Sequence, residues 1–449
     1  MTSNALKWPL LRAVAVRSYA AQAAVNPSSC ASHSLDVKTT VLPNKLVVAS
    51  LESSSPVSRV SIVFRAGSRY EQPDSLGASH ILRIAGGLTT SDSTQFGITR
   101  NVQQVGGNLN VTGDRETVAY TLEVKRDSLD STLKFLEDAA TKQMFKPWEL
   151  SDNVPRLKFE LAALPPTVQL LELLHKAAYK SGLGNSLFIP DYLIGKISSE
   201  TMQHYVQSTF LTNRAAVVGV GVDHDELVAC ARNLCLESGE GPQSSSKFRN
   251  GEIRQDTGSQ LAHVAVATEG ASIQKPEEAL AFAVLQYALG VGPSVKWGSQ
   301  SSSPLGKALA RCDLGGFPYA VSALNINYTD SGLFGFVASS PANVASVVVL
   351  TALKQMRAGL VSEADVTRGK MQLKAAIMMG LESGSDLVHE MGCQAALVGN
   401  VLSGSSLANA VDKVTAAQVN AAAKKVATGK LCMASVGKLS CVPYLDELK

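Results

Sequence analysis

Apolar and polar residues alternate through "KTTVLPNKLVVASL", residues 38–51. That period of two predicts a pair of strands, with Pro43-Asn44 at the turn between them. Further along, the pattern repeats itself. With a displacement of 216 residues, "SETMQHYVQSTFLTNRAAVVGVG" from Ser199 lies over "TAAQVNAAAKKVATGKLCMASVG" from Thr415. Each predicts an amphipathic helix, a short turn at Asn213 or Gly429, and an apolar strand. The same displacement lays "ETVAYTLEVKRDSLDSTLKFLED" from Glu116 over "GLFGFVASSPANVASVVVLTALK" from Gly332, a strand, a polar break and a helix in both. It also lays "WELSDNVPRLK" from Trp148 over "ADVTRGKMQLK" from Ala364, helix over helix.

One ungapped displacement with matching patterns predicts two similar modules, residues 36–236 and 253–449. The segment 237–252, "ESGEGPQSSSKFRNGE", reads as the linker between them. Strands and helices alternate less regularly than in a doubly wound sheet. The expected fold class is therefore α+β: two tandem homologous sandwiches, each with helices packed on a mixed sheet. "NVASVVVLTAL", residues 343–353, is the longest apolar run and reads as a buried strand leading into a helix. It falls short of the roughly 18 apolar residues a bilayer span requires, so membrane association is expected through partners.

Composition adds little until the N-terminus is considered. The 449 residues are 45% hydrophobic and 18% charged, a globular balance, with a net charge of +3. The segment "MTSNALKWPLLRAVAVRSYAAQ" carries Lys7, Arg12 and Arg17, and Asp36 is the first acidic residue. Apolar and basic residues interleave in it as in a mitochondrial transit peptide, predicted here as residues 1–19 with a cut after Tyr19. Without them the charges balance, so the basic excess does not point to nucleic acid. The seven cysteines, Cys30, Cys230, Cys235, Cys312, Cys393, Cys432 and Cys441, are odd in number and form no C-x-x-C. They read as free thiols in a reducing compartment, most of them small core residues.

Candidate chemistry centres on "GASHILRIAGGL", residues 77–88. A zinc peptidase helix of the H-x-x-E-H type holds the metal with two His one turn apart and uses the Glu as base. His80 stands in the first position, but Arg83 replaces the Glu and Ile84 the second His. A catalytic zinc needs about three protein ligands. No metal, cofactor or catalytic residue is therefore expected, and His80 reads as an ordinary polar helix residue. The helix is kept for packing through Ile81, Leu82, Ile84, Ala85 and Leu88. His33, His175, His204, His224, His263 and His389 read as isolated, and Asp223 reads as the cap of a helix beginning at His224. Residues 289–309 read as a loop between two helices. Gly290, Gly292, Gly298 and Gly306 there do not have the spacing of a phosphate-binding loop.

"VLPNKLVVASLE", "SIVFRAGSRYEQPDSLGASHIL" and "VGGNLNVTGDRETVAYTLEV" together resemble the pitrilysin/insulinase-type metallopeptidases, and within them the mitochondrial processing peptidase branch. The resemblance covers the chain beyond the transit segment. It implies two homologous α+β domains forming a half-shell, and a third zinc ligand falling at Glu160 or Lys158. "NSLFIPDYLIGKISSETMQHYVQSTF" and "NYTDSGLFGF" further resemble the core subunits of respiratory complex III. This implies a non-redox, non-catalytic subunit with no cofactor of its own, peripheral on the matrix side of the mitochondrial inner membrane. The implied partners are core protein 1, cytochrome b, the c-type cytochrome, the Rieske iron–sulfur subunit and small subunits, in a dimeric complex. The alternative is the noncatalytic, presequence-binding subunit of a processing peptidase.

Overall fold

The computed structural model describes residues 37–292 and 303–448. The expected transit segment, Cys30, His33 and the centre of the expected 289–309 loop lie outside the described residues. Among the described residues, eleven strands form two sheets. The first contains β1 (Val37–Val41), β2 (Val47–Leu51), β3 (Val57–Phe64), β4 (Asn108–Gly113), β5 (Val118–Lys125) and β6 (Ala215–Val220). Its spatial order is β1-β2-β6-β3-β5-β4. The second contains β7 (Glu252–Asp256), β8 (Leu261–Glu269), β9 (Ala320–Asn327), β10 (Gly332–Pro341) and β11 (Cys432–Gly437), in the order β7-β11-β8-β10-β9. Strand for strand this is the first order without β1. In each sheet one pair is parallel, β2 with β6 and β7 with β11, and the other pairs are antiparallel. The repeat in the sequence is thus a repeat in space.

The predicted hairpin forms with Val37 opposite Leu51 and Val41 opposite Val47. Its turn is tightened by the Asn44 carboxamide, which accepts the Leu46 N–H, and Lys45 takes a positive φ of 67°. "NVASVVVLTAL" is helical throughout, inside Ala342–Arg357, and includes no strand. Ala345, Val348, Val349, Ala352, Leu353 and Met356 are buried at helical spacing in the core of the second module. Packing on one face overrode the β-branched run. The long helix Glu363–Glu382 corresponds to two shorter ones, Pro147–Asp152 and Val154–Ala162. Pro155 in the first turn of Val154–Ala162 has no N–H to carry a helix through that point.

Each sheet has two faces, and the second face is covered by the opposite module. Helix Pro166–Ala178 of the first half lies on β11 and β8, where Leu170, Leu174 and Ala178 meet Ala265, Ala267, Cys432 and Ala434. Helix Gly384–Leu397 of the second half lies on β6, β3 and β2, where Val388, Met391 and Ala395 meet Ala49, Ala216 and Val218. The 216-residue displacement relates these two helices as well. The modules have exchanged their covering helices, and residues 37–449 form one compact unit. The Gly- and Ser-rich segment between them is threaded against the joint. Ser244 accepts from Arg69 through its carbonyl, Ser246 donates its N–H to Asp330, and the Arg249 N–H reaches the Ala178 carbonyl.

Of the six described cysteines, only Cys230 and Cys432 are buried. Cys312 and Cys393 are partly exposed, and Cys235 and Cys441 are exposed, so the expected majority in the core is not found. All six are free. Asp223 stands at the N-cap of helix His224–Asn233, but its side chain makes no capping hydrogen bond. His224 is not isolated either: its ring nitrogens lie 2.8 Å from the hydroxyls of Thr40 and Ser50, which ties the helix to β1 and β2.

Candidate functional site: a former metal helix

The helix that would hold the metal is short, Ala78–Ile84, and its start is built by "AGSRYE". Glu71 is buried, and its carboxylate accepts from the Gly77 N–H, the Ser79 N–H and the Ser79 hydroxyl at 2.7–2.9 Å. Two backbone N–H groups at the helix start and one hydroxyl are thereby satisfied. Burial nevertheless pushes the Glu71 carboxyl up to about 7 against those hydrogen bonds. Gly77 takes φ 91°, and an added Cβ would come within 2.6 Å of Ile189. Only glycine fits there, on both counts.

His80 is fully buried, which corrects its reading as an ordinary polar residue. Its Nδ1 accepts the Ile189 N–H at 3.2 Å, so the proton sits on Nε2, which donates to the Glu160 carboxylate at 3.1 Å. Burial, followed by the charge of Arg83, lowers its pKa and keeps the ring neutral. Glu160 also receives Arg156 at 3.3 Å, and Lys158 is exposed. The geometry therefore puts Glu160, not Lys158, in the third-ligand position. Two of three ligand positions still carry donors.

The remaining residues do not fit a zinc ion. Ile84 offers no donor atom and is 5% exposed, packed with Ile81 and Leu82 in the module core. Arg83 stands in the place of the base. Its guanidinium donates to the Leu187 carbonyl at 2.8 Å and lies over the Phe188 ring, 5.3 Å from the centroid. The His80 ring also meets Phe188, edge-on with the ring centroids 5.3 Å apart. Leu187, Phe188 and Ile189 are thus each held by the helix: Leu187 by Arg83, Phe188 by Arg83 and His80 together, and Ile189 by His80. A cation held beside the remaining donor pair opposes a second positive charge there. The helix serves as a clamp on the 187–189 loop.

The turn after β4 forms a second cluster, at the joint between modules. Arg115 pairs with Glu172 at 2.7 Å. Glu116 pairs with Arg69 and accepts the Thr329 N–H and hydroxyl, the latter at 2.6 Å. Arg69 also reaches Asp330. Arg69 and Glu116 are 3% and 4% exposed, so "AGSRYE" and "GDRE" serve to join the halves. Nearby, His175 donates from Nδ1 to the Leu171 carbonyl at 2.7 Å and accepts the Tyr328 hydroxyl on Nε2 at 2.7 Å. His389 is not isolated, for Asp114 lies 3.3 Å and Cys393 3.7 Å from its Nε2. The sequence signal for this pair is the spacing H-x-x-x-C from 389 to 393, which puts both side chains on one helix face, whereas Asp114 is 275 residues from His389 and carries no local signal. The 289–309 region is shorter as a loop than expected: it follows helix Pro276–Leu289, but residues 304–309 belong to helix Pro304–Ala310, whose start is capped by the Ser303 hydroxyl.

Comparison with known proteins agrees with this geometry. Residues 47–191 match the family model for insulinase (peptidase family M16), and residues 196–373 match that for the peptidase M16 inactive domain. The mitochondrial cytochrome b-c1 complex subunit 2 of Homo sapiens is 40% identical over 95% of this chain and 95% of its own length. The corresponding protein of Mus musculus is 41% identical over 92% of each. The mitochondrial-processing peptidase subunit alpha of Solanum tuberosum is 26% identical over 91% of this chain and 83% of its own length. With both family domains in tandem and a decayed metal helix in the first, the chain belongs to the insulinase-type peptidase family, M16.

Proposed function

We propose that the chain is a non-redox, non-catalytic core subunit of mitochondrial ubiquinol–cytochrome c reductase, respiratory complex III, in the position of core protein 2. It supports assembly and stability of the complex in ubiquinol-to-cytochrome c electron transport. The observation that carries this reading is a metal helix that lacks its base and second ligand at Arg83 and Ile84, with Arg83 holding Leu187 and Phe188 instead, in a chain 40% identical to a cytochrome b-c1 complex subunit. The role as noncatalytic subunit of a processing peptidase remains the second reading, on the weaker likeness to subunit alpha.

Among the described residues no helix is long and apolar enough to cross a membrane. Attachment to the matrix side of the inner membrane then runs through core protein 1, cytochrome b, the c-type cytochrome, the Rieske subunit and small subunits of a dimeric complex. Large apolar side chains stand exposed for such contacts, among them Phe96, Phe159 and Leu360. Residues 1–19 act as the transit peptide, and N-terminal sequencing of the mitochondrial protein checks this by a start at Ala20.

Complementation tests the function. Cells lacking the chain should lose assembled complex III, and Glu160→Gln, which removes a ligand charge but keeps an acceptor for His80, should restore it fully. A variant that accumulates normally yet fails to restore the complex would contradict a purely structural role.

A further inference from the structure

We propose that Asp114, His389 and Cys393 form a zinc site that clamps the two modules together. Asp114 follows β4 in the first half, whereas His389 and Cys393 lie one turn apart on the helix Gly384–Leu397 of the second. One ligand atom from each of the three lies within 4.8 Å of the others. The His389 Nε2 is 3.3 Å from Asp114 Oδ2 and 3.7 Å from Cys393 Sγ. Around a tetrahedral zinc with ordinary bond lengths, a nitrogen stands about 3.4 Å from a carboxylate oxygen and about 3.6 Å from a thiolate sulfur. Both observed separations are close to edges of that tetrahedron.

Hydrogen bonding alone serves this group poorly. A single Nε2 proton cannot be aimed at both the carboxylate and the sulfur, and the Thr117 hydroxyl is 3.8 Å from Sγ, a weak contact. One ion between the three atoms engages all of them. Imidazole, thiolate and carboxylate together suit a borderline-soft ion such as zinc better than magnesium or calcium. Asp114 and His389 are exposed, which gives the ion access and leaves room for a water as fourth ligand. The site is separate from the His80–Glu160 pair and shares no residue with it. It does not depend on the function proposed above.

Zinc content decides the matter, measured on the chain purified within its assembled complex after stripping with a chelator and reloading with zinc alone. The parent should hold about one more zinc per chain than Cys393→Ala or His389→Ala, and His80→Ala should match the parent. Cobalt loading should give a thiolate-to-cobalt charge-transfer band in the parent and lose it in Cys393→Ala. Asp114→Asn, at an exposed position, is the second variant in case either helix substitution disturbs folding, and it should also bind less zinc. Equal zinc in parent and variants, or a cobalt band that survives loss of Cys393, overturns the site.

Discussion

Glu116 holds a buried cation, Arg69, and two donors of Thr329, so its loss cannot be made good by water. Glu116→Ala should cost about 3–5 kcal/mol, the range for breaking a buried pair from one side. Denaturant midpoints check this, and a loss below 1 kcal/mol would mean that the joint is wetter than its geometry. His175 gives a pH test. Burial first, then the charge of Arg115, holds its pKa well below 6.5, so the folded protein refuses a proton that the unfolded chain accepts. Its contribution is complete above about pH 6.5 and is lost on acidification. His80 acts in the same direction. Glu71 acts oppositely: its carboxyl, raised to about 7, favours the folded state at low pH and loses that contribution as pH rises through 7. His175→Asn should therefore melt with a shallower decline between about pH 7 and 5 than the parent, and identical slopes would contradict the assignment. At this scale the sequence disclosed what was missing, Arg83 and Ile84, but not what remained. Residues 158 and 160 differ by about 200° around a helix, and only the packing of that helix shows which of them faces His80.

The helix Ala78–Ile84 is legible as a metal helix because H-x-x-E-H is a spacing, and spacing survives in sequence. Its new task is not legible, since the clamp depends on Leu187, Phe188 and Ile189, more than 100 residues away. With Glu160 in place, restoring the motif by Arg83→Glu plus Ile84→His supplies the missing donor. It also puts an imidazole at a core position and removes the grip on Leu187 and Phe188, so the metal-free double variant should lose about 2–4 kcal/mol. In a Cys393→Ala background, zinc should raise the melting temperature of the double variant and leave that of the single variant unchanged. A zinc response without the restored motif would show that the relic still binds metal. Little or no peptide cleavage is expected even then, because the loop over the helix has been refitted to arginine. The exchange of covering helices escaped the sequence for a related reason. An amphipathic pattern in Pro166–Ala178 predicts a buried face but does not name the sheet that buries it.

At the scale of the molecule, two similar modules hold each other's sheets closed, and the joint carries the buried Arg69–Glu116 pair. A scaffold of this kind needs rigidity and apolar contact surfaces, not a metal on the helix Ala78–Ile84. The repeat itself was visible beforehand, because a displacement of 216 residues preserves hydrophobic period even where identities are few. Which partners cover the exposed apolar side chains is a property of the assembly, and the central claim lies there. The most direct measurement is the optical spectrum of material purified through a tag on this chain from detergent-solubilised mitochondria. Both b-type and c-type haem should copurify with it in constant proportion, and presequence peptides should remain uncut. A haem-free, soluble complex that cleaves presequences would contradict the account and return the chain to the processing peptidases.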